Sequence, residues 1–92
     1  MLTIVVPTYC EAENIGELVC RIDDVLHDVL TYELLVVDDN SPDDIKNVIA
    51  DLQANYPVRL LQPQGRPRDL SMSVIDGVRE AQNDLVLVMD AD

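Results

Sequence analysis

The sequence has no tryptophan and no phenylalanine, and only three tyrosines, three glycines and two cysteines. Without large aromatics any core must be aliphatic. At 48% hydrophobic residues the supply suits a folded domain, not a disordered chain. Three glycines leave little for a loop that wraps phosphate in backbone N–H groups. No G-x-G-x-x-G follows the first apolar run and no G-x-x-x-x-G-K-[ST] occurs, which disfavours nicotinamide and P-loop chemistry. Cys10 and Cys20 form no CxxC pair, and nothing else completes a zinc set, so two free thiols are expected. Basic residues are scarce, six against 18 acids, for a net charge of -12. That argues against a nucleic-acid surface, which needs clustered Lys and Arg, and against an electrostatic grip on anionic lipid. A phosphate ligand would need a divalent cation as mediator. No apolar run reaches the roughly 18 residues of a membrane span. Met1-Leu2-Thr3 lacks the basic start of a signal peptide, so a cytoplasmic location is expected.

What is present is a regular alternation within one small unit of 92 residues, with no repeat and no linker. Leu2–Val6 is a continuous apolar run closed by Pro7. "NIGELVCRIDDVLHDVL" then spaces Ile15, Leu18, Val19, Ile22, Val25, Leu26, Val29 and Leu30 by threes and fours, an amphipathic helix with Asn14 and Glu17 placed as a capping box. Tyr32–Val37 is a second run. "SPDDIKNVIADLQANY" reads as a helix with Ser41 as N-cap, Pro42 in its first position and Asp43 and Asp44 serving its positive end. Val58–Leu61 is a third strand. "QPQGRPRD" is a loop, and "LSMSVIDGVREAQ" a third helix, capped by Asp69, with Leu70, Val74, Ile75, Val78 and Ala81 inward. Gly77 costs helix stability there and points to close packing. "DLVLVM" reads as a central fourth strand. The order β-α-β-α-β-α-β predicts a four-stranded parallel sheet between helical layers, a Rossmann-like three-layer α/β half-domain.

Ligands in such sheets bind beyond the carboxyl ends of the strands. The segments there are "PTYCEAEN", "DDNSPDD", "QPQGRPRD" and the terminal "DAD", so Glu11, Asp38, Asp39, Asp90 and Asp92 are candidates for one crevice. Asp38 is expected to be structural and Asp39 to face the ligand. Tyr9 could stack on a base or simply pack. Arg66 and Arg68 could meet phosphates or stay solvated, and His27 reads as a surface residue. Asp90 and Asp92 are two apart on an extended chain and share a side. Two such carboxylates repel without a cation or proton between them, and oxygen-only ligation suits Mg²⁺ or Mn²⁺. The pattern alone is equally served by one aspartate capping and the other solvated.

Together "IVVPTYCEAENI", "YELLVVDDNSPDD", "LSMSVIDGVREA" and "DLVLVMDAD" resemble, in order and spacing, the family 2 glycosyltransferases of the GT-A fold, closest to the polyprenyl (dolichyl) phosphate mannose synthase branch. The resemblance implies that Pro7, Tyr9 and Glu11 hold the base and ribose of a nucleotide sugar. It implies that Val37 and Asp39 contact the nucleoside, and that Asp90, Ala91 and Asp92 carry Mg²⁺ or Mn²⁺ on the diphosphate. The implied reaction transfers a hexose, with inversion, from GDP-mannose or a related UDP-sugar to a lipid phosphate at the cytoplasmic face of a membrane. Family members continue past the D-x-D, so the chain is expected to be the donor-binding part. The acceptor site, the catalytic base and any membrane-binding helices would lie outside it, and the isolated chain would be inactive. Cys10 stands where the family usually has Asn, Asp69 where Gly is frequent, and "GRPR" leaves the usual basic contact in doubt. An open edge on the fourth strand would invite self-association. The rival readings are a non-catalytic nucleotide-binding or assembly module of the same fold, and a receiver-type signalling domain.

Overall fold

The computed structural model describes residues 1–65, 69–81 and 85–91. Its elements are β1 (Leu2–Thr8), α1 (Ala12–Leu26), β2 (Tyr32–Asp38), α2 (Ile45–Leu52), β3 (Val58–Leu61), α3 (Leu70–Glu80) and β4 (Leu85–Val88). All pairings are parallel, in the order β3-β2-β1-β4. That is the order of the dinucleotide-binding α/β fold and not the 2-1-3 order of receiver-type domains. The expected α/β three-layer half-domain is present.

Strand alternation divides the core. Ile4 and Val6 of β1 and Leu34 and Val36 of β2 pack on one face with Ile15, Val19 and Ile22 of α1 and Ile45 and Ile49 of α2. Val5, Leu35 and Val37 occupy the other face, under α3. Each fully buried aliphatic here contributes about 1.5–3 kcal/mol. The chain places α1 and α2 on one face while it builds β1, β2 and β3 outward. It must then return past β1 to lay down β4, and α3 crosses on the opposite face.

Several expectations need correction. α1 begins at Ala12, earlier than Asn14. Asn14 Nδ2 instead donates to Glu11 Oε2 (2.8 Å), Glu17 pairs with Arg21 (2.6 Å), and the Ala12 N–H donates to Asp43 Oδ2 (3.1 Å). α1 also stops at Leu26, so Val29 and Leu30 fall beyond it and are exposed, and within it Val25 is exposed as well, off the buried face of Ile15, Val19 and Ile22. α2 begins at Ile45, so Ser41 is no helix cap, because its hydrogen bonds are spent in the loop on Asp38 and Cys10.

α3 shows the largest difference. Its buried residues are Ser73 and Gly77, while Leu70, Ile75 and Val78 are exposed and Val74 and Ala81 are half-buried. A Cβ on Gly77 would fall inside van der Waals contact of Val5 Cγ1 and 3.0 Å from Val37 Cγ2. The helix lies so near the sheet that only small residues fit beneath it. Asp69 does cap it, accepting from the Met72 N–H (3.2 Å). At the other end Arg59 pairs with Glu33 (3.3 Å) and donates to the Glu80 carbonyl (3.1 Å), a cation at a helix C-terminus.

β4 lies at the sheet edge, paired to β1 alone, with Leu85, Val86, Leu87 and Val88 all exposed. Among the described residues it is therefore an edge strand and not the central strand expected. Both cysteines are free, Cys10 exposed and Cys20 half-buried against Tyr56 Oη (3.3 Å). His27 is on the surface, where the Asp23 carbonyl and the Asp28 carboxylate raise its pKa above 6.5. Among the described residues no helix is long and apolar enough to cross a membrane.

Candidate functional site

The carboxyl ends of β1, β2 and β4 meet where the sheet order changes direction, the usual ligand edge of such a sheet. On the α3 side of that edge lies a cleft of about 190 Å³ lined by Pro7, Thr8, Tyr9, Asp39, Leu70 and Ser73. Two loop residues, Cys10 (φ 59°) and Asn40 (φ 57°), take left-handed conformations. Asn tolerates that conformation. Cys, which carries a Cβ with no polar group to bond locally, does so at a cost.

Asp38 and Asp39 separate by strand alternation. Thr8 faces Asp38 in the β1–β2 register, and Asp38 is fully buried. It accepts from Thr8 Oγ1 (2.7 Å), the Ser41 N–H (2.8 Å), Ser41 Oγ (2.6 Å) and Gln62 Nε2 (3.0 Å). This carboxylate joins the ends of β1, β2 and β3 and is spent on doing so. Asp39 goes to the cleft. Its backbone N–H continues the ladder to the Thr8 carbonyl (3.0 Å), and its Oδ2 accepts the Asp69 N–H at the start of α3 (2.6 Å). Asn40 ties the same corner to the third loop, donating to the Pro63 carbonyl (2.6 Å) and accepting from Gln64 (2.7 Å).

Pro7, Tyr9 and Asp39 are therefore brought together in the cleft, with Tyr9 40% exposed. Val37 is buried beneath Gly77. Glu11 sits at the N-terminal boundary of α1, its carbonyl accepting from Asn14 and Ile15, and does not line the cleft. Asp90 follows β4, past the point where the Met89 N–H donates to the Val5 carbonyl (3.0 Å). Met89 and Ala91 pack on the α1/α2 core and leave Asp90 exposed between them. Asp92, Arg66 and Arg68 lie outside the described residues. Among the described residues no three His, Cys, Asp or Glu side chains stand together as a metal site. Thr8 and Ser73 were not singled out from the sequence, and Leu70 was expected on the core-facing side of the third helix and not in a cleft. Ser73 precedes Gly77 by four positions, and that small-residue pair was the available signal.

Residues 3–92 match the family described as glycosyl transferase family 2. The chain belongs to that family. It is 43% identical over 91 residues to the dolichol-phosphate mannosyltransferase of Pyrococcus furiosus, covering 99% of this chain and 25% of that protein. Among solved structures it resembles S. aureus TarS 1-349, with TM-score 0.85 and 21% identity over 99% of this chain and 27% of that one, a likeness of fold. It also resembles the mannosyltransferase PcManGT from Pyrobaculum calidifontis, solved in complex with GDP-Man and Mn²⁺, with TM-score 0.77 and 27% identity over the same shares of the two chains. The neighbours of this family 2 chain are GT-A glycosyltransferases. The chain spans about a quarter of the length of the curated relative it matches.

Proposed function

We propose that this family 2 chain is the donor-binding part of a glycosyltransferase that moves a hexose, mannose, from GDP-mannose or a related UDP-sugar to a polyprenyl or dolichyl phosphate, with inversion and with Mg²⁺ or Mn²⁺. The observation that carries the reading is the cleft beside β1 and β2, with Asp39 and Tyr9 in its lining, at the sheet edge where Asp90 follows β4. An extended aromatic face and a carboxylate acceptor suit a nucleoside. Tyr9 can stack on the base, and Asp39 can accept from base or ribose donors. The mannosyltransferase names among the relatives favour mannose and a lipid-phosphate acceptor.

Among the described residues, those that line the cleft include no Lys or Arg. A diphosphate there would bring negative charge to an already acidic chain. Asp90 is an exposed oxygen donor at the right strand end and fits a hard divalent cation, and we assign Asp92 as its companion. When bound, such an ion supplies Lewis-acid stabilisation of the departing diphosphate. The chain's own part is to hold the nucleoside end so that the sugar is presented beyond the sheet edge, which lowers the entropic cost of reaction. The acceptor site and catalytic base are assigned to sequence outside these residues, in a parent protein at the cytoplasmic face of a membrane.

Calorimetric titration of GDP, UDP and their sugars, with and without Mn²⁺, tests the reading. Binding of at least one nucleotide that Mn²⁺ tightens is expected, with weaker binding in Tyr9→Ala and no metal dependence in Asp90→Asn. A folded chain that binds none of them overturns it. Turnover of GDP-mannose onto a polyprenyl phosphate by the 92-residue chain alone would overturn the assignment of catalysis elsewhere.

A further inference from the structure

We propose that Ser41, which lines no part of the cleft, is a positioning residue for the nucleoside end, holding the turn that sets Tyr9 in the cleft wall. The proposal rests on the donor-binding reading above. Ser41 Oγ donates its single proton to Asp38 Oδ1 (2.6 Å) and turns a lone pair to the Cys10 N–H (2.7 Å). Asp38 is an anchor that cannot shift: it is fully buried and also held by Thr8 and Gln62. Its negative charge polarises the hydroxyl and makes the serine oxygen a better acceptor. The bond lands on Cys10, whose φ of 59° is disfavoured for a residue with a Cβ. Cys10 is the hinge between Tyr9, in the cleft, and Glu11, the N-cap residue of α1. The serine hydroxyl thus transmits the position of a buried carboxylate to an exposed turn, and through that turn to Tyr9. Without it, Cys10 loses a stabilising partner for its strained conformation, relaxes toward negative φ, and carries Tyr9 away from the cleft.

The test compares the wild-type chain with Ser41→Ala and Ser41→Thr, which keeps the hydroxyl. Amide exchange is read by NMR, and GDP and UDP are titrated with and without Mn²⁺. In Ser41→Ala the Cys10 amide should exchange about five- to tenfold faster while β1 and β2 keep their protection. Nucleotide affinity should fall about five- to tenfold, and the factor by which Mn²⁺ tightens binding should stay the same, because the turn serves the nucleoside and not the diphosphate. Ser41→Thr should restore both. Unchanged Cys10 exchange in Ser41→Ala overturns the proposal. So does an affinity loss matched by lost protection across the sheet, which would mark a general fold defect. A wild-type chain that binds neither nucleotide sinks the donor reading and the binding half of this proposal with it, whereas the Cys10 exchange result still decides whether Ser41 holds the turn.

Discussion

Asp38 and Asp39 are the same residue type in adjacent positions, and the pleat of β2 gives them different work. Asp38 is surrounded by four donors, of which the backbone Ser41 N–H, on Oδ2, cannot reverse its polarity. In Asp38→Asn the new NH₂ must therefore take the Oδ1 place, facing the Thr8 and Ser41 hydroxyls. Both would have to rotate away, and Ser41 already accepts from Cys10. We predict a loss of about 1–3 kcal/mol, read from the urea midpoint. Asp39→Asn keeps an oxygen for the Asp69 N–H and should stay within about 1 kcal/mol of wild type while weakening nucleotide binding. Equal destabilisation by the two substitutions would contradict this division. The sequence indicated the split of roles, since strand ends in a parallel sheet are where carboxylates meet ligands. It did not indicate Ser41, because a serine followed by proline and two acids is also a good helix start. Only the tertiary placement of Asp38 shows that its hydroxyl is spent elsewhere.

At the scale of elements, α1 and α3 each contain a glycine, and the same substitution should act in opposite directions. Gly16 in α1 has nothing within 4 Å of an added Cβ, so Gly16→Ala should gain about 0.5–1 kcal/mol from helix propensity alone. Gly77→Ala would drive a methyl into Val5 and Val37, and the overpacking cost of about 1–3 kcal/mol should exceed that gain. Thermal melts of the two variants decide the matter, and a stabilised Gly77→Ala would mean that α3 can lift without penalty. Element types and order were readable because aliphatic runs alternate with periods of three and four. Which face of α3 meets the sheet was not. Apolar periodicity selected Leu70, Ile75 and Val78, but closeness of approach selected Ser73 and Gly77. Helix starts were misplaced for a related reason. Asn14, Glu17 and Ser41 carry good capping chemistry, and tertiary partners such as Asp43 supplied the actual termini. Asp92 lies outside the described residues, so its pairing with Asp90 rests on the sequence.

For the molecule as a whole, β4 combines an edge left unpaired among the described residues with exposed aliphatic side chains on both faces. Such an edge is a template for another strand. The net charge of -12 opposes the encounter of two copies. Salt near 0.15 M, with a screening length of about 8 Å, should weaken that opposition. We therefore predict self-association that increases with concentration and with salt, seen by sedimentation and suppressed by Leu87→Lys. A monomer under all these conditions, with the charge screened, would contradict the prediction and show that something other than charge protects the edge.

The position of β4 also bears on the time course of folding. β1, the first strand of the chain, is completed on one side by β2 and on the other by β4, where Leu2 pairs with Leu85. The β1–β2 and β2–β3 ladders close short stretches of sequence, whereas the β1–β4 ladder must close nearly the whole chain and carries the larger loop entropy. A sheet of three strands should thus form first and wait, with a flank of β1 bare, until the last strand arrives. Pulsed hydrogen exchange during refolding should find the amides of β2 protected before those of β4. Simultaneous protection would mean that the sheet assembles in a single step.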